Sequence, residues 1–138
     1  MIPVRNYELI RQSFDDARAV REFDRSPIFY SNFFKRAPDK RRMFREDLGG
    51  QGMKFISTMQ IVIHALDSES KLDDAIGQLA KGHAALGVKR TDFDPMCDAL
   101  IDTLKQVLNE KFTPEMETAW RDGFRVIARR MAEIGDMK

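Results

Sequence analysis

Two neighbouring stretches of the chain space their core-forming residues by four, three and four: Phe55, Met59, Val62, Leu66, and then Leu72, Ile76, Leu79, His83. An α-helix advances about 100° per residue, so this rhythm puts each set on one side of a helix, whereas a strand needs a period of two. The same period recurs along most of the sequence. Tyr7, Ile10 and Phe14 mark a first helix. Ser26-Pro27 reads as an N-cap with proline at the first helical position, opening a short aromatic helix with Tyr30, Phe33 and Phe34 that stops before Pro38. Thr91 or Asp92 caps a long helix through Phe93, Met96, Leu100, Leu104 and Val107. Thr113-Pro114-Glu115-Met116 opens the last helix, whose apolar line is Met116, Trp120, Phe124, Ile127 and Met131.

Between the aromatic helix and a helix expected from about Gly49 to Leu66, residues 39–48 are charged, with Phe44 alone among them, and read as a short connector. No Asn-Gly or Asp-Gly turn separates alternating runs, since Asp122-Gly123 falls inside a helical pattern. The expectation is an all-α fold of about six main helices plus that connector. With no repeats and no long linker, residues 1–138 are read as one domain.

Charge and cysteine usage narrow the function classes. The 23 basic and 22 acidic residues leave a formal charge of +1, which makes no electrostatic case for a nucleic-acid partner. The run Lys35-Arg36 and Lys40-Arg41-Arg42 is local and reads as a solvated face or cofactor-edge patch. Cys97 is the only cysteine, so no intrachain disulfide forms and a reducing compartment suits the chain. The longest apolar run, Ile61-Val62-Ile63, ends at His64, far short of the roughly 20 residues that span a bilayer. The first residues lack the design of a signal peptide, and a cytoplasmic protein with no membrane partner is expected. No feature specifies an oligomeric state.

The two histidines occupy different faces. His64 stands nine residues after Phe55, about 180° round the helix, with Ser57, Gln60 and Asp67, and is expected to face solvent. His83 follows Ile76 by seven residues, within about 20° of the same direction. An imidazole on a core-facing line needs a polar partner or a metal. A backbone carbonyl would satisfy it. So would one kind of metal cofactor, a haem, which brings four nitrogens and asks the protein for one ligand. No second His, Cys or carboxylate has zinc-like spacing around it.

Several segments in order resemble bacterial single-domain globins and the globin domain of flavohaemoglobins, over about Tyr7 to Met131. These are Phe29-Tyr30-Ser31-Asn32-Phe33-Phe34 followed by Pro38 and Phe44; Gln51, 32 residues before His83; His83-Ala84-Ala85-Leu86-Gly87-Val88; and Phe112-Thr113-Pro114-Glu115 with Ala119-Trp120. The resemblance implies a globin fold around haem b (iron protoporphyrin IX), with His83 as proximal ligand to the iron and its other ring nitrogen donating to a carbonyl near Leu79. It implies Phe44 as a wedge against the porphyrin and Tyr30 with Gln51 as a distal donor pair that favours high dioxygen affinity. Phe55 would project into the distal pocket, Lys54 reach a propionate, and Leu79, Val88, Phe93 and Met96 form the proximal wall, although plain packing accounts equally for those four.

Flavohaemoglobin-type globins carry a tyrosine and a glutamate behind the proximal histidine. Here the matching positions are Phe93 and Gly135, with Glu133 two residues away, so that electron push is in doubt. The chain stops near the globin boundary, and no flavin or nicotinamide domain is expected. The functions implied are binding of dioxygen, nitric oxide or carbon monoxide at ferrous haem; nitric oxide dioxygenation with an external reductase; or a haem-poor, globin-like sensor or regulatory module.

Overall fold

The helical rhythm resolves into seven α-helices among the described residues: α1 (Val4–Arg18), α2 (Arg21–Arg25), α3 (Ile28–Arg36), α4 (Leu48–His64), α5 (Glu69–Ala85), α6 (Phe93–Leu108) and α7 (Pro114–Ile134), with no strand. A computed structural model describes residues 2–25, 28–43 and 48–138, and the side chains of these except 24, 25, 43 and 48–54. The Ser26-Pro27 cap lies outside them. The described first part of the charged connector is a 3₁₀ helix, Pro38–Met43; two further 3₁₀ turns, Arg90–Asp92 and Asn109–Lys111, flank α6. The helix missing from the sequence expectation is α2, whose five residues are too few to show an apolar period.

Local signals explain where several helices start. Thr113 Oγ1 accepts the Met116 N–H at 3.2 Å, Pro114 takes the first helical position, and Glu115 and Glu117 lie at the positive end of the helix dipole. Ser68 Oγ does the same for Lys71 N–H at 3.4 Å at the start of α5. Helix α6 departs from the expected cap. Asp92 holds the N-cap position in helical backbone geometry, φ −74° and ψ −20°, rather than in the extended geometry that aims a cap forward. Its carboxylate turns back instead and accepts the Lys89 N–H at 2.9 Å.

Three helix pairs hold the core. Between α1 and α7, Phe14 and Trp120 are buried, and Trp120 Nε1–H donates to Ser13 Oγ at 2.7 Å, which itself donates to Leu9 O at 2.7 Å. Between α3 and α6, the buried Asn32 amide donates to Thr103 Oγ1 at 2.8 Å and Gln106 Oε1 at 2.9 Å. Between α5 and α7, Leu72, Ile76 and Ala80 are fully covered, and Arg130 grips Asp73 through both carboxylate oxygens at 2.8 and 3.0 Å. Buried amides and hydroxyls cost stability unless paired, and among the described residues no buried side-chain nitrogen or oxygen lacks a partner.

Lys35, Arg36 and Arg42 of the basic run are exposed, as a solvated face implies, and two of its residues are also paired with acids. Arg36 forks onto Asp102 at 2.6 and 3.0 Å, and Lys40 reaches Asp92 at 3.0 Å, because Asp92, Asp98 and Asp102 line the edge of α6 that faces this run. Among the described residues, no helix is long and apolar enough to cross a membrane.

Candidate functional site

The stripes on α4 and α5 share a pattern of burial. On α5, Leu72 and Ile76 are sealed (1% and 0% exposed), while Leu79 and His83, further along the same stripe, are half-buried. On the α4 side, Val62 and Leu66, the latter in the turn just after the helix, are buried, while Phe55 and Met59 are half-buried. Ile56 and Ile63, which the four-three-four line passes over, are buried as well. Residues 65–68 join the two helices, which touch one another. Both stripes are therefore closed near the turn and half-open away from it, leaving apolar side chains on each helix without full cover.

His83 stands in the half-open part. Its Nδ1 lies 2.8 Å from Leu79 O, one turn back on α5. A carbonyl only accepts, so Nδ1 carries the proton and, in the neutral ring, Nε2 keeps a lone pair for a metal. The end of α5 holds this ring in place. Val88 N–H returns to His83 O at 3.1 Å and Gly87 N–H to Ala84 O at 3.0 Å, the paired bonds of a Schellman motif. Gly87 adopts φ +84°, a left-handed conformation that costs an L-residue about 1–2 kcal/mol. His64, by contrast, is exposed, as its helical direction implies.

On the other side, α3 and α4 meet through aromatic rings. Phe29 stacks on Phe55 with centroids 4.2 Å apart, and Tyr30 meets Phe55 edge to face at 5.9 Å. Tyr30 is 7% exposed, and burial pushes its phenol up to about 12, so the hydroxyl keeps its proton at any physiological pH. The structure thus brings Tyr30 and Phe55 together. Phe44 lies outside the described residues, and Gln51 and Lys54 are on α4 with side chains outside them.

Of the remaining candidates, Val88 and Met96 are half-buried. Phe93 is buried edge-on to Phe124 at 6.4 Å. The position matching the family's glutamate has no room for one. A Cβ on Gly135 would sit 2.9 Å from the Ala80 carbonyl oxygen of α5 and 3.2 Å from Met131 O. Glu133 is spent on Arg130 at 2.8 Å. A cavity of about 470 Å³ does open between α6 and α7, lined by Phe93, Phe124 and Ala128, but among the described residues Phe93 is the only predicted site residue that lines it.

The donor chemistry suits a metal that needs one protein ligand. Among the described residues no group of three His, Cys, Asp or Glu side chains is placed to hold an ion, and burial pushes the Cys97 thiol up to about 11, away from the thiolate a metal would require. One imidazole of fixed tautomer, beside half-covered apolar side chains on two helices, fits a haem. Sequence reasoning missed the contacts that fix its surroundings, Gly135 against α5 and Lys40 with Asp92, because both join residues far apart in the chain.

Comparison with known proteins points the same way. Residues 28–131 match the family model described as Globin. Flavohemoprotein A of Dictyostelium discoideum is 28% identical over 102 residues, 73% of this chain and 26% of that protein. Flavohemoprotein of Rhizobium meliloti is 22% identical over 107 residues, 75% of this chain and 27% of that protein. Neuroglobin of Tetraodon nigroviridis is 24% identical over 139 residues, covering 91% of this chain and 87% of that protein. The chain thus spans about a quarter of the length of the two flavohemoproteins and most of the neuroglobin.

Proposed function

The chain belongs to the globin family, and from that premise we propose that it is a haem protein that binds a diatomic gas, dioxygen first, with His83 as the protein ligand to the iron of haem b. When bound, haem supplies a ferrous iron that takes up such gases reversibly. Every other part of the function falls to side chains of the protein. The observation that carries the reading is the His83 ring, its Nδ1 proton tied to Leu79 O, its Nε2 left with a lone pair, on a half-buried apolar stripe.

Leu79 O holds the imidazole in one tautomer and one orientation, and a hydrogen bond at this nitrogen raises the basicity of the other. Phe55 and Met59 from α4 and Leu79 from α5 keep water away from the ligand. Tyr30 holds its proton at Oη and supplies a donor on the distal side, with Gln51 as the second donor. Two donors in a dry pocket slow gas release and raise affinity. The absence of room at Gly135 and the phenyl ring at Phe93 deny His83 the acid and phenol that push electron density toward an iron, which favours reversible binding over nitric oxide dioxygenation with an external reductase.

Absorption spectra of the purified protein in ferric, ferrous and carbon monoxide forms test this directly. The parent chain should show a Soret band that shifts with redox state and with added gas. His83→Ala should lower haem retention by more than about 100-fold, beyond the 10–100-fold typical of losing a partner of the ligand, while circular dichroism keeps its helix content. A well-folded parent chain that stays colourless after reconstitution overturns the proposal.

A further inference from the structure

The segment after His83 carries an ion pair to a distant part of the chain. Lys40 Nζ lies 3.0 Å from Asp92 Oδ1, with the two side chains only 24% and 12% exposed. The other carboxylate oxygen of Asp92 accepts the Lys89 N–H at 2.9 Å. The pair therefore joins the 3₁₀ helix Pro38–Met43 to the 3₁₀ turn Arg90–Asp92. Burial works against the Asp92 charge, but the Lys89 N–H and the Lys40 ammonium outweigh it and hold the carboxyl below the usual carboxylate range.

The two partners sit at informative places. Asp92 ends a corner of seven residues, 86–92, whose other end is bonded to His83 itself through Val88 N–H and Leu86 N–H, both 3.1 Å from His83 O. Lys40 belongs to the segment that leads into α4. On the far side the corner is fastened once more, by Arg90 Nε donating to Met137 O at 3.2 Å. Among the described residues, the one other acid paired with Lys40 is Asp39 at 3.7 Å, largely exposed and on Lys40's own turn, so it offers no bridge to the corner.

We propose that the Lys40–Asp92 pair is a positioning clamp: it holds the 86–92 corner, and with it the end of α5 that carries His83, against the segment entering α4, and so slows escape of haem from between α4 and α5. The inference rests on the haem reading above. A half-buried pair with a second hydrogen bond on its carboxylate is screened far less by salt than a surface pair, so the clamp holds at physiological ionic strength.

The test compares four variants of the full chain. Haem loss from the loaded protein is followed as decay of the Soret band in excess apomyoglobin, which captures released haem. Asp92→Asn keeps an acceptor for Lys89 N–H but loses the charge, and Lys40→Met loses the ammonium; each should raise the loss rate about tenfold. Lys40→Arg should restore the parent rate. Arg36→Gln breaks a comparable fork to Asp102 on α6 away from the corner and should leave the rate unchanged. The second readout needs no haem: amide hydrogen exchange across 86–92 in the haem-free chain should quicken in Asp92→Asn and Lys40→Met and not in Arg36→Gln. Loss rates equal to that of Arg36→Gln, or unchanged exchange, overturn the clamp. A parent chain that takes up no haem overturns the proposed function, and the exchange measurement then decides by itself whether the pair holds the corner.

Discussion

Helices α5 and α7 end in the same hydrogen-bonded motif but place their glycine differently. At the end of α5, Gly87 takes the left-handed position at φ +84°, with Val88 N–H on His83 O and Gly87 N–H on Ala84 O. At the end of α7 that position belongs to Asp136, φ +51°, with Met137 N–H on Ala132 O at 2.9 Å and Asp136 N–H on Glu133 O at 3.3 Å. The glycine there, Gly135, stands one residue earlier in ordinary helical geometry, φ −85°. Gly87 has open space where a Cβ would go; Gly135 has the Ala80 carbonyl at 2.9 Å. One glycine answers to backbone conformation and the other to the approach of a neighbouring helix. At the end of α7 an aspartate takes the left-handed position, while the glycine lies where α5, the helix that carries His83, comes close.

The comparison breaks most readily at Gly135. Gly135→Ala should cost about 2 kcal/mol in chemical denaturation, since α5 backbone rather than a flexible side chain must give way. Gly135→Asn should cost more, because the added atoms have no better place to go. At Gly87 the order should reverse. Gly87→Ala should cost about 1 kcal/mol, from conformation alone, and Gly87→Asn less, because asparagine tolerates the left-handed region. If alanine proves the milder substitution at both positions, the distinction between space and conformation fails. The smallest effect is a gain. Asp136→Gly should stabilise the chain by about 0.5–1 kcal/mol, by removing both the left-handed strain and a negative charge at the negative end of α7.

Much of the site was legible in the chain. The spacing from Leu79 to His83 is one helical turn, so a bond from the imidazole to that carbonyl follows from where the two residues stand on one helix. Gly87 four residues after His83 announces the helix end, and Thr113-Pro114 announces a helix start, because caps are built from neighbours in sequence. The exposed face of His64 follows from its angle to Phe55. Other features lie beyond local rules. A helix start at Thr91 or Asp92 does not say that the Asp92 carboxylate turns back to the Lys89 N–H. A solvated or cofactor-edge basic run does not say that Arg36 reaches Asp102 or that Lys40 reaches Asp92. Each of these is a partner that local rules cannot name.

The amino-acid sequence alone determined the six longer helices, their apolar sides and the place of His83 on the stripe with Leu72, Ile76 and Leu79, since these depend on residues three and four apart on a single axis. Tertiary structure decided which turns of those sides are sealed and which stay half-open, why a side chain at position 135 would have to displace α5 backbone, and which acid holds Lys40. A periodic pattern gives the direction of a side chain around its own helix, but it carries no information on how near the next helix comes.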